Sequence, residues 1–491
     1  MVFNSLTFII FFVVVLGLYY LPLGWTAHKI ILLCASYIFY GVWNPPFVLV
    51  LFFTTFVDWL TARQMARTSS DRTRYALLLA SLISNLGLLS FFKYGTFFLA
   101  NFTAAVNSLG ISYHAPQSHI VLPIGISFYT FHSLSYTIDV YRKRIKATSS
   151  LADFALFVSF FPALVAGPII RASHFLPQLA SRRRATADQF GWGLTLLFIG
   201  LFEKVVLADT LLAPVADRVY AATVNAGMAS AWGGTLAFSA QIFFDFAGYS
   251  TCALGAALCL GFVLKKNFNY PYAAIGFSDF WKRWHISLSS WLRDYLYIPL
   301  GGNRVTAPRV YGNLMLTMLL GGLWHGASWR FIAWGGLHGS YLAGEKFLRM
   351  FLEKRAVRQV PISEPVAVAE GGFVVLTGRL LRPLLALATY ALVCVAWVFF
   401  RAPDFAAARG VIAAMIGRRK ELMPPDASMF VALAVVVMMF VIHWLMRDRD
   451  LIDVAKRIPT WLRPVILSLV VIAVLLATVS GDSRAFIYFQ F

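Results

Sequence analysis

The sequence predicts an all-α polytopic membrane protein, and its composition is the first reason. Of its 491 residues, 59% are hydrophobic and only 13% are charged, whereas a soluble chain carries about a quarter charged residues. Its mean hydropathy is +0.71. These values exclude an ordinary soluble enzyme and predict a single integral-membrane domain over residues 1–491.

The apolar residues fall into runs long enough to cross about 30 Å of hydrocarbon, which takes about 20 helical residues. These runs predict roughly ten to twelve transmembrane helices, with re-entrant and interfacial helices around a central channel. They begin near Phe3, Ile30, Pro46, Tyr75, Ile120, Phe190, Trp232, Asn313, Phe331, Leu381, Met429 and Trp461. The first run has no basic residue before it and no cleavage site after it, so it is expected to remain as a span.

Basic residues exceed acidic residues by 20, and the excess is concentrated in short loops. The main clusters are Arg63–Arg74, Tyr141–Lys146 (YRKRIK), Ser181–Arg184 (SRRR), Lys265–Lys266, Glu353–Arg355 and Arg418–Lys420. The positive-inside rule predicts that these loops face the cytoplasm and that the N-terminus lies outside. Because this topology accounts for the charge, nucleic acid is not expected as a partner, whereas membrane lipids are.

The apolar segment Leu151–Ile170 has basic loops on both sides and is interrupted by Pro162, Gly167 and Pro168. A segment between two cytoplasmic loops does not cross the membrane once. We therefore predict a re-entrant hairpin, which requires a covering of protein or a water-filled cavity. This places a cavity on the cytoplasmic side.

The segment Pro271–Asn303 is predicted to form an interfacial helix. Its aromatic and leucine residues recur every three or four positions, as one stripe: Phe277, Phe280, Trp281, Trp284, Leu288, Trp291 and Tyr295. A basic, tryptophan-rich amphipathic helix is typical of the membrane interface, with its apolar side toward the acyl chains.

The four cysteines, Cys34, Cys252, Cys259 and Cys394, lie in apolar runs without C-x-x-C spacing. They are expected to pack as small hydrophobic residues, and no metal site is predicted. Gly481-Asp482-Ser483 looks like the nucleophile segment of soluble serine esterases. With eight residues after it and no Asp-x-x-His partner, we interpret it as a chance match.

Two histidines carry the functional hypothesis. His325 lies in the apolar segment Gly321–Gly326, and His285 lies in WKRWHIS at Trp281–Ser287. An imidazole ionises near neutral pH and is costly to bury in lipid, so such residues indicate function. They predict a proton-transfer site inside the membrane. The alternative function, from a different class of protein, is a proton-coupled transporter or flippase that uses the same histidines.

The ordered motifs resemble the membrane-bound O-acyltransferases, and within them the branch that contains bacterial alginate O-acetyltransferase. The motifs are Phe280–Ser289 (FWKRWHISLS), Trp291–Arg304 (WLRDYLYIPLGGNR), Gly321–Gly326 (GGLWHG), Leu122–Phe128, Tyr136–Arg142, Ala166–Pro168, Phe244–Ser250, Trp397–Ala402 and Phe489–Phe491.

This resemblance implies acyl transfer with His325 as general base and His285 as its orienting partner or electrostatic stabiliser, and the reverse assignment stays open. It also implies acetyl-CoA as donor substrate, with no bound cofactor. Lys282, Arg283 and Trp324 are the candidate donor-binding residues, together with Lys265 and Lys266. Positive-inside topology is the alternative explanation of these basic residues.

The resemblance further implies a bacterial inner (cytoplasmic) membrane protein. Its acetyl group is then destined for an extracytoplasmic polysaccharide, alginate or a similar exopolysaccharide, through periplasmic acetyl-acceptor or acetyltransferase partner proteins. Cellulose and peptidoglycan remain possible acceptors. The predicted external loop Lys93–His119, with aromatic residues Tyr94, Phe97, Phe98 and Phe102, is long enough to dock such a partner.

Three other histidines and one aspartate have weaker claims. His338 follows His325 by thirteen residues, about 220° around one continuous helix, so on such a helix it does not share a face with His325. His132 and His174 are expected to be structural or to line a cavity. Asp245 is expected to line a cavity or to cap a helix break near Gly248.

Overall fold

The structure is a computed structural model that describes residues 1–116, 120–359, 381–480, 484, 486 and 487. In the described residues the secondary structure is helical throughout, which confirms the predicted fold class. The polypeptide forms two compact units. Unit 1 comprises 1–205, 246–266 and 470–491, and unit 2 comprises 206–245 and 267–469.

In the described residues, unit 1 contains ten complete α-helices. They are α1 (Leu6–Tyr19), α2 (Trp25–Gly41), α3 (Pro46–Arg67), α4 (Asp71–Leu89), α5 (Gly95–Ser108), α6 (Ile126–Tyr141), α7 (Leu151–Ser159), α8 (Phe161–Leu164), α9 (Ala172–Leu179) and α10 (Ala187–Leu201). Helices α4 and α5 are joined by a π-helical turn at Ser90–Tyr94, and a second π-helix, Phe202–Leu212, follows α10.

Helix α11 is Ala213–Ala221, and α12 (Met228–Cys259) begins in unit 2 and ends in unit 1. The remaining helices of unit 2 are α13 (Phe277–Arg283), α14 (Ile286–Leu292), α15 (Ala307–His325), α16 (Trp329–Gln359), α17 (Leu381–Arg401), α18 (Phe405–Met415), α19 (Ala427–Met446) and α20 (Leu451–Arg457). Helix α21 (Leu462–Ser480) again begins in unit 2 and ends in unit 1.

Six helical segments in the described residues are long and apolar enough to cross a membrane, so the chain is a multi-pass membrane protein. They are Pro46–Arg67, Asp71–Ser108, Met228–Cys259, Leu381–Arg401, Ala427–Met446 and Leu462–Val479. Leu6–Tyr19 and Phe405–Met415 are shorter apolar helices. The number of ten to twelve spans, the orientation in the membrane and the single domain stay predictions.

The segment predicted to be re-entrant is broken as its prolines and glycines indicate. Helix α7 has nine residues, which is about 13 Å of helix and too short to cross the hydrocarbon core. After Phe160 comes only the four-residue α8, and the chain from Phe154 to Ile170 is buried throughout. Irregular backbone covered by protein is the condition for such a segment at membrane depth.

A cysteine-labelling experiment tests the side on which this segment begins and ends. We expect single cysteines at Lys146 and Ser181, in a background without the native cysteines, to react only with a thiol reagent that enters the cytoplasm. The measurement is mass-tag labelling in intact and permeabilised cells. A cysteine at Gly110, in the predicted external loop, is the reference for labelling from outside. Labelling of one position from outside would show that the segment crosses, and the predicted cytoplasmic cavity would lose its support.

The predicted interfacial helix Pro271–Asn303 is wrong in two respects. The segment is not one helix, because it is divided into a short 3₁₀ turn, α13, α14 and a π-helical turn at Arg293–Tyr297. Its stripe faces protein rather than acyl chains, since Phe280, Trp284 and Leu288 are at most 1% exposed. Both environments are apolar, so composition does not distinguish them.

Two further predictions are corrected. The predicted external loop Lys93–His119 is mostly helix, because α5 continues the helical segment to Ser108, and His119 lies outside the described residues. Helix α12 continues through Asp245 and Gly248 without a break, so Asp245 caps no helix break there. Gly481–Ser483 and Phe489–Phe491 also lie outside the described residues.

Candidate active site in unit 2

His325 is placed by a tight helical hairpin formed by α15 and α16. Helix α15 ends at His325, and Gly326 is extended. A side chain on Gly322 would collide with the Phe331 carbonyl, and one on Gly335 would collide with the Met318 carbonyl. The glycines therefore let the two helices pack backbone to backbone in antiparallel order. As a result, the last turn of α15 is held against the first turns of α16.

His285 lies at the kink between α13 and α14. Its backbone is left-handed, with φ 42° and ψ 54°, a region that non-glycine residues rarely adopt and that is concentrated at functional sites. The side chain is fully buried. The kink turns His285 away from the direction of α13 and into the interior of unit 2.

The segment that precedes this kink in sequence also holds it in place. The Ile286 amide donates to the Asn267 carbonyl (2.8 Å), and the Asn269 amide donates to the Arg283 carbonyl (2.9 Å). Residues 267–269 therefore run alongside the kink. This pairing brings the Asn267 side chain to the imidazole.

Asn267 fixes the tautomer of His285. The Asn267 Oδ1 atom accepts from the Ser287 backbone amide (3.2 Å) and from the Ser287 hydroxyl (2.9 Å), and a backbone N–H is always a donor, so this atom is the oxygen. His285 Nδ1 lies 3.1 Å from the same oxygen. Nδ1 must then carry the proton, and Nε2 carries the lone pair.

The two predicted histidines meet in the structure. Their ring centroids are 6.4 Å apart, and His325 is 3% exposed. A direct N–H···N bond between imidazoles would bring the centroids to about 5 Å. The observed distance is longer than such a direct hydrogen bond would give.

Aromatic side chains enclose the pair. The His325 ring has edge-on contacts with Trp324 (5.0 Å), Trp334 (5.0 Å) and Phe400 (5.5 Å between centroids). The His285 ring also contacts Trp324, at 5.8 Å. Such a shell excludes bulk water and strengthens electrostatic interactions within it.

A cavity of about 660 Å³ opens in the same unit. It is bordered by residues of α13, α14 and α16, including Trp281, and by four basic side chains, Lys282, Arg293, Lys346 and Arg349. Two acidic side chains, Glu345 and Glu353, also line it. Burial raises the pKa of the lining residue Tyr297, whose hydroxyl donates to Asn303 Oδ1 (2.8 Å).

The three candidate donor-binding residues have different environments. Lys282 is exposed in the cavity and has no hydrogen-bond or ion-pair partner among the described residues. Arg283 is 9% exposed, and its guanidinium donates to Asp279 (2.8 Å) and to the Arg447 carbonyl (2.8 Å). Arg283 therefore anchors α13. Trp324 contacts both histidines and does not border the cavity.

The expectation that His325 and His338 lie on different faces of one continuous helix is wrong, because the chain reverses after His325. His338 lies on α16 with its ring 4.7 Å from that of Trp334, which in turn contacts His325. In unit 1, His132 is buried with Nδ1 3.3 Å from the Val158 carbonyl, as expected of a structural residue. His174 Nε2 lies 2.7 Å from Lys265 Nζ.

Cysteines and metal ligands add nothing to this site. The four cysteines are free thiols, and Cys252, Cys259 and Cys394 are buried as predicted, whereas Cys34 is exposed. Within the described ranges, no three His, Cys, Asp or Glu side chains are grouped so that they would hold a metal ion.

The histidine pair lies in a multi-pass helical membrane protein. Residues 39–371 match the membrane-bound O-acyltransferase family, MBOAT, and the chain belongs to this family. It is therefore an acyltransferase that acts on an acyl donor.

Three relatives show how far the similarity extends. The chain is 43% identical over 417 residues to the probable alginate O-acetylase AlgI of Azotobacter vinelandii, which covers 84% of this chain and 78% of that protein. It is 36% identical over 415 residues to the peptidoglycan O-acetyltransferase of Helicobacter pylori, with 79% and 74% covered. It is 29% identical over 255 residues to the teichoic acid D-alanyltransferase of Bacillus subtilis, with 49% and 63% covered.

Proposed function

We propose that this protein is an O-acetyltransferase of the bacterial inner membrane that supplies acetyl groups for an extracytoplasmic polysaccharide, alginate or a similar exopolysaccharide. The observation that carries the proposal is the enclosed pair of His285 and His325, with the tautomer of His285 fixed by Asn267. Two relatives are named as a probable alginate O-acetylase and a peptidoglycan O-acetyltransferase. These names support an acetyl group as the group transferred and a polymer as its destination.

In the proposed reaction, a hydroxyl oxygen attacks the carbonyl carbon of an acetyl thioester. His325 accepts the hydroxyl proton as the new C–O bond forms. When the tetrahedral intermediate collapses, the C–S bond breaks and the thiolate takes the proton from His325. The products are an acetyl ester and a thiol, and His325 returns to its neutral form.

His285 acts as the orienting partner of His325. Its Nδ1–H is bound to Asn267, so the neutral ring has no second N–H with which to stabilise an oxyanion. Instead, one oxygen atom bridges the two rings in this proposal. It accepts a hydrogen bond from the N–H of His325 and donates one to the lone pair on His285 Nε2. This contact selects the His325 tautomer whose other nitrogen faces the substrate, and it disperses the positive charge when His325 is protonated.

Asn267→Leu tests this relay without touching either histidine. We expect acetyl transfer to fall about 10-fold to 100-fold, because His285 then loses the partner that fixes its tautomer, as outer partners of metal-bound histidines also show. The measurement is the transfer rate per folded protein. Ser287→Ala is the matched control, because it removes another bond to the same Asn267 oxygen, and its rate should remain close to wild type. Equal rates for both variants would contradict the relay.

The proposed donor is acetyl-CoA, and the cavity in unit 2 is its binding site. Its phosphates suit the basic lining, where Lys282 is the cation without a protein partner in the described part of the chain. Arg293 and Arg349 are already paired with Asp294 and Glu345. We propose that this cavity faces the cytoplasm, where activated acetate is made.

Lys282→Gln tests the donor site. The KM for acetyl-CoA should rise about threefold to tenfold, because one exposed charge-assisted contact is lost. The KM for S-acetylpantetheine, which has no phosphate, should not change. Lys456→Gln, an exposed change on α20, is the control. An equal effect of Lys282→Gln on the KM for both donors would show that Lys282 does not bind the phosphates of acetyl-CoA.

Labelled acetyl-CoA separates this proposal from a proton-coupled transporter or flippase. Inverted membrane vesicles that contain the protein and a hydroxyl acceptor should accumulate an alkali-labile acetyl ester of the acceptor. A transporter would move label without forming that ester. The ester's absence, with label accumulating as free acetate or intact donor, would overturn the proposed function.

A further inference from the structure

Trp281, Trp334 and His338 form a group of three rings in mutual contact, here called the inner ring cluster. The centroid distances are 5.9 Å between the two tryptophans, 5.2 Å from Trp281 to His338 and 4.7 Å from Trp334 to His338. Trp334 and His338 are fully buried. The cluster is therefore a closed aromatic contact inside unit 2.

The three rings of this cluster are packed like an apolar core, but they contain four polar nitrogen atoms. Both ring nitrogens of His338 and the indole nitrogens of Trp281 and Trp334 have no hydrogen-bond partner among the described residues. Buried polar groups are almost always paired, and each exception calls for an explanation, such as a functional role.

Other buried histidines of the chain show that this is unusual. In unit 2, His443 is equally enclosed by aromatic rings, including those of Phe243 and Tyr272, yet its Nδ1 accepts from the Tyr272 amide (3.3 Å). In unit 1, His28 and His132 each contact a backbone carbonyl. Among the described residues, His338 therefore leaves both ring nitrogens unpaired, whereas each of these three histidines pairs at least one.

A chain of ring contacts links the cavity to His325 through the cluster. Trp281 borders the cavity on one side and contacts His338 and Trp334 on the other. Trp334 then contacts His325, with 5.0 Å between ring centroids. A group that enters from the cavity and displaces the Trp281 ring would reach His338 before it reaches His325.

The polar atoms of the cluster match one chemical group. A neutral imidazole has one donor and one acceptor, and each indole has one donor, so the cluster offers three N–H groups and one lone pair. A secondary amide has a carbonyl oxygen that accepts two hydrogen bonds and an N–H that donates one. The indoles suit the carbonyl, and the lone pair of His338 suits the amide N–H.

We propose that the inner ring cluster opens around the acyl donor and that His338 binds a secondary amide in the donor's thiol arm, which positions the thioester at His325. The inference rests on the proposed function, because it assumes a thioester donor. His338 takes no part in bond making. It acts on binding and positioning.

His338→Phe separates this role from a structural one. The change replaces an unpaired polar ring with an apolar ring in an aromatic setting, so the melting temperature should stay the same or rise. The KM for S-acetyl-N-acetylcysteamine, a thioester with one amide, should rise about tenfold. The kcat/KM for S-ethyl thioacetate, which has no amide, should not change. Both are measured as thiol release with the hydroxyl acceptor present.

His443→Phe is the matched control. It also replaces a buried histidine by phenylalanine, but it leaves the Tyr272 amide without its acceptor. The melting temperature should fall, and the activity per folded protein should not change with either thioester. His338→Leu covers the case in which phenylalanine is too large for the site, and it should behave like His338→Phe.

Four outcomes would overturn the inference. They are an equal loss with both thioesters, no loss with either thioester, a rise in the KM of the hydroxyl acceptor instead of the donor, and failure of both His338 variants to fold. Failure of the proposed function looks different, because the wild-type protein would then release no thiol from either compound. A wild type that is active and a His338→Phe variant that matches it on both compounds would reject only the role of His338.

Discussion

His325→Gln is expected to abolish acetyl transfer while the protein still folds and inserts. Glutamine has a similar size and still forms hydrogen bonds, but it has no nitrogen that accepts a proton near neutral pH. Loss of a general base typically lowers a rate by about 10²-fold to 10⁴-fold. The measurement is transfer of labelled acetyl to a hydroxyl acceptor, per folded protein, in membranes.

The control for this variant is His443→Gln. It removes a histidine that is also buried in unit 2 but is not among the rings around His325, so its effect on the rate per folded protein should be small. His325→Ala should match His325→Gln. Transfer by His325→Gln at a rate near that of the wild type would show that another group accepts the proton.

His285→Asn is expected to have the second-largest effect, a loss of about 100-fold. Asparagine is chosen because it tolerates the left-handed backbone at this position, where φ is 42°, so the kink between α13 and α14 is preserved. The variant loses the lone pair that orients His325 but leaves the base in place. For that reason some activity should remain.

The relay also predicts that these effects are not additive. Asn267→Leu acts only through His285, so it should lower the rate of the wild type but add little to His285→Asn. The measurement is a double-mutant cycle on the transfer rate. Multiplicative losses in the double variant would mean that Asn267 acts independently of His285, for example through the backbone of the kink.

Much of the fold follows from composition and from interruptions in the apolar runs. The low charge content, 13% of the residues, predicts helices in a membrane. Pro162 and Gly167 indicate the segment in which α7 ends too early to cross. Periodicity also identified the buried stripe that includes Trp284. It did not identify what the stripe faces, because protein and lipid are both apolar.

The histidine pair was predicted, and its geometry was not. His325 and His285 are conspicuous because titratable rings are rare in apolar sequence, and the structure brings them to 6.4 Å. Asn267 escaped sequence reasoning because its function depends on a backbone pairing across 18 residues. Asparagine in a loop next to two lysines carries no local signal of that pairing.

His338 illustrates a different limit. The angular argument against it holds on one helix, but Gly326 ends α15 and the glycines on both helices allow a close antiparallel return. The pattern GGLWHG followed by GGLH was itself the signal, since paired small residues favour close helix packing. A reversal between the two glycine pairs accounts for the position of His338 next to the rings around His325.

Reconstitution in proteoliposomes tests the central claim most directly. Labelled acetyl-CoA is placed on the side of the cavity, and an oligosaccharide on the opposite side, with and without a periplasmic acetyltransferase partner. We predict an acetyl ester of the sugar only with the partner present and only with His325 intact. Esterification by His325→Gln at the wild-type rate would contradict the proposed mechanism, and esterification without the partner would show that this chain acetylates the polysaccharide by itself.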